Sequence, residues 1–177
     1  GTLRDRARPE AFHQRIPSMT AGNGNDRHGP GIRLHPPVIY AISILAGIGL
    51  ENLWPLAMPA GLHGRLYGGC ILAVAVAIAL WSLHRFYDAN TDVRPDRPDR
   101  ALLTSGPYRY TRNPLYITLS LVQLAAAVWL NNLWILLALP LSVIVITRYA
   151  IAREERYLEK LFGRDYLDYK ARVRRWL

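Results

Sequence analysis

Residues that could do chemistry are concentrated in two short stretches of this chain. Residues 106–116 read Gly-Pro-Tyr-Arg-Tyr-Thr-Arg-Asn-Pro-Leu-Tyr, and about forty residues later comes the pair Glu154-Glu155. Each stretch borders a hydrophobic segment, so helices that form a hairpin through a bilayer would return both stretches to the same membrane face. Such a layout suits a site that takes a soluble cofactor from one side and a partner molecule from the membrane.

The first stretch combines a tight turn with side chains that bind charged and aromatic groups. Gly106 before a proline predicts a turn in which backbone approaches a ligand closely. Asn113 precedes a proline and therefore avoids the helical region, which fixes where the next helix begins. Cationic donors and aromatic hydroxyl groups come from Tyr108, Arg109, Arg112 and Tyr116. Taken singly, arginines and tyrosines beside a membrane helix are usually structural, and only the combination favours a site.

The two glutamates follow a hydrophobic segment directly. Neighbouring residues on a helix point about 100° apart, so at most one of Glu154 and Glu155 is expected to face a given ligand. A solvated helix face is the alternative interpretation of this pair. Cys70 is the only cysteine, and the five histidines show no ligand spacing, so no metal site is predicted.

Composition points to a membrane. Of the 177 residues 51% are hydrophobic and 20% charged, with a net charge of +9, and the two kinds are segregated into separate blocks. Nucleic-acid binding would require a soluble basic face. Here the arginines flank apolar blocks, as in juxtamembrane segments that face anionic lipid. The lipid bilayer is therefore the expected partner, and no nucleic acid is expected.

The order of blocks predicts an all-α integral membrane protein with about four transmembrane helices and amphipathic C-terminal helices on the cytoplasmic side. Residues 1–34 are polar and basic and are expected to be a disordered tail, followed by a membrane domain over residues 35–177. Asn131-Asn132 is so short a connection that the helices on either side must be antiparallel. The predicted transmembrane helices are 38–56, 66–87, 114–130 and 133–151, and the surface helices lie within 153–175.

Arginine distribution predicts the orientation. The N-terminal tail, residues 88–112 and the C-terminal segment are rich in arginine, whereas the connections 57–65 and 131–132 carry only Arg65. The positive-inside rule then places both termini, and with them the candidate site, on the cytoplasmic side of a bacterial-type inner membrane.

Three motifs resemble one family. Residues 102–116, the Glu-Glu-Arg-Tyr-Leu run at 154–158 and the Phe-Gly-Arg-Asp-Tyr-Leu-Asp-Tyr run at 162–169 are similar to the isoprenylcysteine carboxyl methyltransferases and the related phospholipid methyltransferases, especially their small bacterial members. The resemblance implies S-adenosyl-L-methionine as methyl donor. It also implies a lipophilic or small hydrophobic acceptor, such as an isoprenylcysteine carboxylate, a phospholipid amine or a thiol.

The resemblance also implies roles for particular residues. Glu154 would bind a polar end of the cofactor, with Glu155 beside it. The expected cofactor-binding residues are Arg100, Ala101, Leu102, Leu103, Gly106, Tyr108, Asn113, Pro114, Leu115, Tyr116 and Glu154. The candidates for catalytic residues are Arg109, Arg112, Arg153 and Glu155, of which the three arginines could hold an anionic acceptor.

Two positions depart from the eukaryotic isoprenylcysteine enzymes. Those enzymes carry His where this chain has Asn113, and a substrate-binding Arg where it has Ala150. Asn113 cannot titrate near neutrality, so an acid–base role there is lost. The alternatives to a methyltransferase are a nicotinamide-dependent membrane reductase of related architecture and a non-catalytic membrane partner protein. The reductases are much larger and have many more helices.

Overall fold

The computed structural model describes residues 34–56, 64–88 and 102–177. The predicted N-terminal tail lies outside the described residues except for Leu34. So do Arg100 and Ala101, two of the expected cofactor-binding residues. The described helices are α1 (Pro36–Leu53), α2 (Gly64–Asp88), a 3₁₀ turn (Gly106–Arg109), α3 (Pro114–Trp129), α4 (Leu133–Ile146), a π-helical segment (Thr147–Ile151), α5 (Ala152–Phe162) and α6 (Arg164–Arg172).

The all-α membrane fold is confirmed. Within the described part of the chain, three helical stretches are long and apolar enough to cross a bilayer: Pro36–Leu53, Gly64–Tyr87 and Leu133–Phe162. Only 17% of the first two spans is buried inside the protein, so most of their apolar surface is left for lipid. Helix α3 is also apolar, with 16 residues, and packs between the others.

The third long span is one continuous helical rod, which differs from the predicted break between residues 151 and 153. Between Leu141 and Phe162 the sequence contains no glycine or proline that would stop a helix. The sequence changes from apolar to charged residues near Arg153, but the helix continues through this change to Phe162. The rod stops at Gly163, whose φ of 53° favours glycine.

Close backbone approach at glycines holds the helices together. A Cβ added at Gly47 of α1 would lie 2.6 Å from Ile135 Cγ1 and 2.9 Å from Ile135 N. At Gly68 of α2 it would lie 2.9 Å from the backbone nitrogen of Trp129. Small residues at such crossings are the usual way in which membrane helices pack, because lipid removes the hydrophobic drive between them.

Polar side chains lock the same interfaces. The fully buried Gln123 donates through Nε2 to Ser43 Oγ at 3.0 Å and to the Ile135 carbonyl at 3.1 Å. Asn132 Oδ1 accepts from Ile135 N at 3.0 Å, and its Nδ2 donates to the Gly47 carbonyl at 3.2 Å. These bonds fix α1, α3 and α4 against one another and thereby fix the ends that surround the site.

Replacing Gly47 by alanine is expected to lower the free energy of unfolding by about 1–3 kcal/mol, since the Ile135 backbone must move. Thermal unfolding in detergent, followed by circular dichroism, measures the change. Gly49→Ala is the matched control, because a Cβ there meets nothing within 4 Å. Equal melting temperatures for the two variants would contradict tight packing at Gly47.

Candidate functional site

A cavity of about 440 Å³ opens where the N-terminal end of α1, the C-terminal half of α2, the amino end of α3 and helices α5 and α6 meet. This volume lies within the range of small-molecule sites. Most lining side chains are apolar, and the charged groups are contributed by Arg112, Glu154 and Glu155.

The cavity gathers most of the residues expected to bind a cofactor. Gly106 is not part of the lining and packs against α2 instead. Arg100 and Ala101 belong to the part of the chain that the structure does not describe. Those in the lining are Leu102, Leu103, Tyr108, Asn113, Pro114, Leu115, Tyr116 and Glu154.

The four catalytic candidates divide into two pairs. Arg112 and Glu155 line the cavity. Arg109 and Arg153 are exposed and are not part of the lining, and the Arg153 guanidinium carbon lies 4.6 Å from the centre of the Tyr149 ring. A role in holding an acceptor stays a prediction for all three arginines.

The turn at Gly106 brings Tyr108 to the cavity. Gly106 has φ 62°, and a Cβ there would lie 2.8 Å from Arg85 Nε. The 3₁₀ turn that follows buries Tyr108, whose ring meets Phe86 edge to face at 5.9 Å. The Tyr108 carbonyl accepts a hydrogen bond of 2.7 Å from the Tyr169 hydroxyl, so α6 supports this turn from behind.

Glu154 contacts the start of α3. The Tyr116 hydroxyl donates to Glu154 Oε2 at 2.9 Å, across 38 residues of sequence. Glu154 is only partly buried, whereas Tyr116 is buried. The carboxylate is thereby oriented beside the cavity by a hydrogen bond to its charged form.

Glu155 is held by two guanidinium groups. Arg175 donates through Nε to Oε1 at 2.9 Å and through Nη2 to Oε2 at 2.7 Å, and Arg112 Nη1 lies 3.0 Å from Oε1. Glu155 is 6% exposed, so this is a largely buried ion cluster. Both glutamates line one cavity, but their side chains are bound by different partners.

Three residues at the site, Arg175, Tyr166 and Tyr169, are not among those predicted from the sequence. Tyr166 and Tyr169 line the cavity from α6. Burial, followed by the charge of Glu155, raises the pKa of Tyr166 to about 12, so its phenol stays protonated at neutral pH. The two tyrosines belong to the sequence motif at residues 162–169, so the motif could have identified them as site residues. Nothing in the sequence distinguishes Arg175 from the arginines around it.

No metal-ligating cluster of histidine, cysteine, aspartate or glutamate occurs within residues 34–56, 64–88 and 102–177. The polar side chains that line the cavity are two carboxylates, one guanidinium group, four phenols, one amide, one hydroxyl group and one imidazole. This set suits an organic ligand that carries both charges together with apolar surface.

Comparison with known proteins agrees with these motifs. The sequence model of the phospholipid methyltransferase family matches residues 64–165. An uncharacterized protein of Haemophilus influenzae is 46% identical over 63 residues, which are 36% of this chain and all of that protein. The protein-S-isoprenylcysteine O-methyltransferase of Rattus norvegicus is 31% identical over 143 residues, which are 76% of this chain and 48% of the rat protein.

The chain thus spans about half the length of the rat protein. No solved structure gives a significant match. The family match covers more than half of the chain and includes the turn at Gly106, the start of α3 and the glutamate pair. On these grounds the chain belongs to the phospholipid methyltransferase family.

Proposed function

We propose that this protein transfers a methyl group from S-adenosyl-L-methionine to a lipophilic acceptor that reaches the cavity from the bilayer. The observation that carries the proposal is that one cavity is lined by both charged and apolar side chains. Arg112, Glu154 and Glu155 form its charged end, in which Arg112 lies 3.0 Å from Glu155, and Leu83 and Phe86 of α2 are among its apolar side chains.

The charged end suits the amino-acid part of the methyl donor. The carboxylate of Glu154 can accept hydrogen bonds from an ammonium group, and the guanidinium of Arg112 is complementary to a carboxylate. Phe86 and Tyr108 offer aromatic surface for a sulfonium cation. Leu102 and Leu103 offer apolar contact for an adenine ring.

For methyl transfer, the main task of the protein is to position the donor and the acceptor. When bound, S-adenosylmethionine supplies an electrophilic methyl group that is displaced in line from sulfur. The chain's own residues exclude water and hold the reacting groups in line. Asn113 is not a base, because its amide does not titrate and its Nδ2 donates to the Arg175 carbonyl at 2.8 Å. A carboxylate or tertiary amine acceptor needs no base, whereas a thiol or ammonium acceptor must first lose a proton.

The acceptor is proposed to arrive between α1 and α2. Helix α1 packs mainly against α4 and helix α2 against α3, and both border the cavity, through Pro37 and Leu83 among others. Exposed apolar side chains such as Val38 and Leu80 lie on these helices. The rat relative's name describes a prenylated cysteine as acceptor, and the family's name describes phospholipids. Both are molecules with a long apolar part.

We further propose that the protein lies in the membrane with the charged end of the cavity facing the cytoplasm. Exposed arginines cluster at this end of the molecule, among them Arg148, Arg153 and Arg156, and the positive-inside rule places such clusters on the cytoplasmic side. Both termini then lie on that side, where the soluble methyl donor is available.

The first test is binding and transfer by detergent-purified wild-type protein. Calorimetry is expected to give a dissociation constant for S-adenosylmethionine in the range of about 1 μM to 1 mM. Transfer of labelled methyl to a farnesylated cysteine derivative, phosphatidylethanolamine and a long-chain thiol then separates O-, N- and S-methylation. Absence of binding by protein that is helical and monodisperse would overturn the proposed function.

Binding without transfer to any of these acceptors would indicate either a different acceptor or a non-catalytic protein. A tritiated donor incubated with total membrane lipid distinguishes the two. Label that moves into the lipid fraction shows that an acceptor exists, whereas persistent absence of labelled product favours the non-catalytic alternative.

A further inference from the structure

Residues 173–177 form an extended segment that follows α6 and returns to the cavity; we call it the C-terminal strap. The Arg112 backbone nitrogen donates to the Arg174 carbonyl at 2.9 Å. The Arg175 carbonyl accepts from Thr111 Oγ1 at 3.1 Å and from Asn113 Nδ2 at 2.8 Å. The strap therefore pairs with the loop that leads into α3, over more than 60 residues of sequence.

The side chain of Arg175 crosses from this strap to α5. Its two bonds to Glu155 are parallel, which is the geometry that fixes a carboxylate in one orientation. Trp176, the next residue, packs against the buried cluster that contains Tyr116. Arg175 thus connects the strap to two parts of the cavity wall: its backbone carbonyl holds Asn113, and its side chain holds Glu155.

Glu155 has few other ways to be stabilised. It is almost fully buried, and a buried charge is stable only when it is paired with another charge or hydrogen-bonded. With Arg175 removed, Arg112 is the remaining guanidinium within 4 Å among the described residues. The Glu155 carboxylate is then free to change its orientation. It can pair with Arg112 alone, or it can turn toward a cationic ligand in the cavity that both glutamates line.

We infer that Arg175 is a positioning residue for the methyl-donor site, acting through its side-chain bonds to Glu155. This inference rests on the proposed function, because it assigns Arg175 to the site that binds S-adenosylmethionine. Arg175 does not line the cavity, so its side chain acts on the ligand through Glu155, whereas its backbone carbonyl, which holds the Asn113 amide, is kept in every variant at this position.

The test compares binding of S-adenosylmethionine and S-adenosylhomocysteine by calorimetry across a small set of variants. Arg175→Ala is expected to weaken binding of both compounds on the order of ten- to a hundredfold. Arg175→Lys keeps the charge but not the parallel pair of bonds, so an intermediate loss is expected. Arg172→Ala is the matched control, since Arg172 is exposed and its guanidinium bonds to the Asp168 carbonyl of its own helix; wild-type affinity is expected there.

Combining Arg175→Ala with Glu155→Gln separates positioning from mere packing of the strap. If Arg175 acts through Glu155, its removal weakens binding much less in the Glu155→Gln background than in the wild type. An equal loss in both backgrounds overturns the inference, and so does wild-type affinity in Arg175→Ala. Should Arg175→Ala fail to fold, Arg175→Lys carries the comparison in both backgrounds. A wild-type protein that binds neither compound refutes the proposed function and this inference with it.

Discussion

Glu154→Gln is expected to weaken S-adenosylmethionine binding by about 1.5–3 kcal/mol, the contribution of a hydrogen bond to a charged group, which is roughly a 10- to 150-fold loss of affinity. The amide keeps the shape of the side chain and can still accept from the Tyr116 hydroxyl, so the helix contact survives. What is lost is the negative charge proposed to meet the donor's ammonium group. Calorimetry on the detergent-purified variant measures the change.

Two variants frame this prediction. Tyr116→Phe removes the hydroxyl that orients Glu154 but keeps the charge, so a smaller loss of roughly two- to tenfold is expected. Glu159→Gln is the matched control. In the wild type Glu159 lies on the same helix and pairs with Lys170, and neither residue lines the cavity, so wild-type affinity is expected for the variant. If Glu154→Gln binds as tightly as Glu159→Gln, Glu154 is not a ligand for the methyl donor.

Glu155→Ala is expected to lower the free energy of unfolding by about 3–5 kcal/mol, because it leaves a buried guanidinium without its partner. The Arg112 side chain is 10% exposed and cannot regain water without moving the loop that precedes α3. Arg175, which is 39% exposed, is less affected. A drop in melting temperature on the order of 10 °C follows for a chain of this size.

Glu159→Ala is the control for stability, one helical turn further along α5. Its pair with Lys170 is about one-third exposed on both sides, and such surface pairs contribute about 0–1 kcal/mol. Glu155→Ala should therefore melt well below Glu159→Ala in the same detergent. Similar melting temperatures would show that the Glu155 cluster is solvated and does not hold the site together.

The membrane helices and their hairpin could be predicted because they depend on local sequence. Long apolar blocks bounded by proline predict α1 and α3, and an Asn-Asn connection predicts the turn between α3 and α4. In the structure Asn131 has φ 51°, a left-handed conformation that asparagine tolerates better than most residues. The π-helical segment Thr147–Ile151 could not be predicted, since nothing in its composition differs from an ordinary helix.

The site was predictable to the extent that its residues lie in motifs. Residues 102–116 and the glutamate pair carry a pattern, and the structure brings both to one cavity. The contact between Arg175 and Glu155 depends on how the chain turns after α6, which is a tertiary property. The sequence gives no reason to choose among the three neighbouring arginines Arg172, Arg174 and Arg175. In the structure Arg175 is the one of these three that forms an ion pair with Glu155.

The shortness of α3 has a consequence for the depth of the reaction. Its 16 residues rise about 24 Å at 1.5 Å each, whereas the hydrocarbon core of a bilayer is about 30 Å thick. With the α3–α4 turn at one boundary, the amino end of α3 stops short of the other boundary by a few ångströms. Irregular backbone at that level must find its hydrogen bonds within the protein, and the Arg112 nitrogen finds one on Arg174. Under the proposed function, an acceptor at this level would keep its chains among the lipid tails while its head group meets a donor from the water.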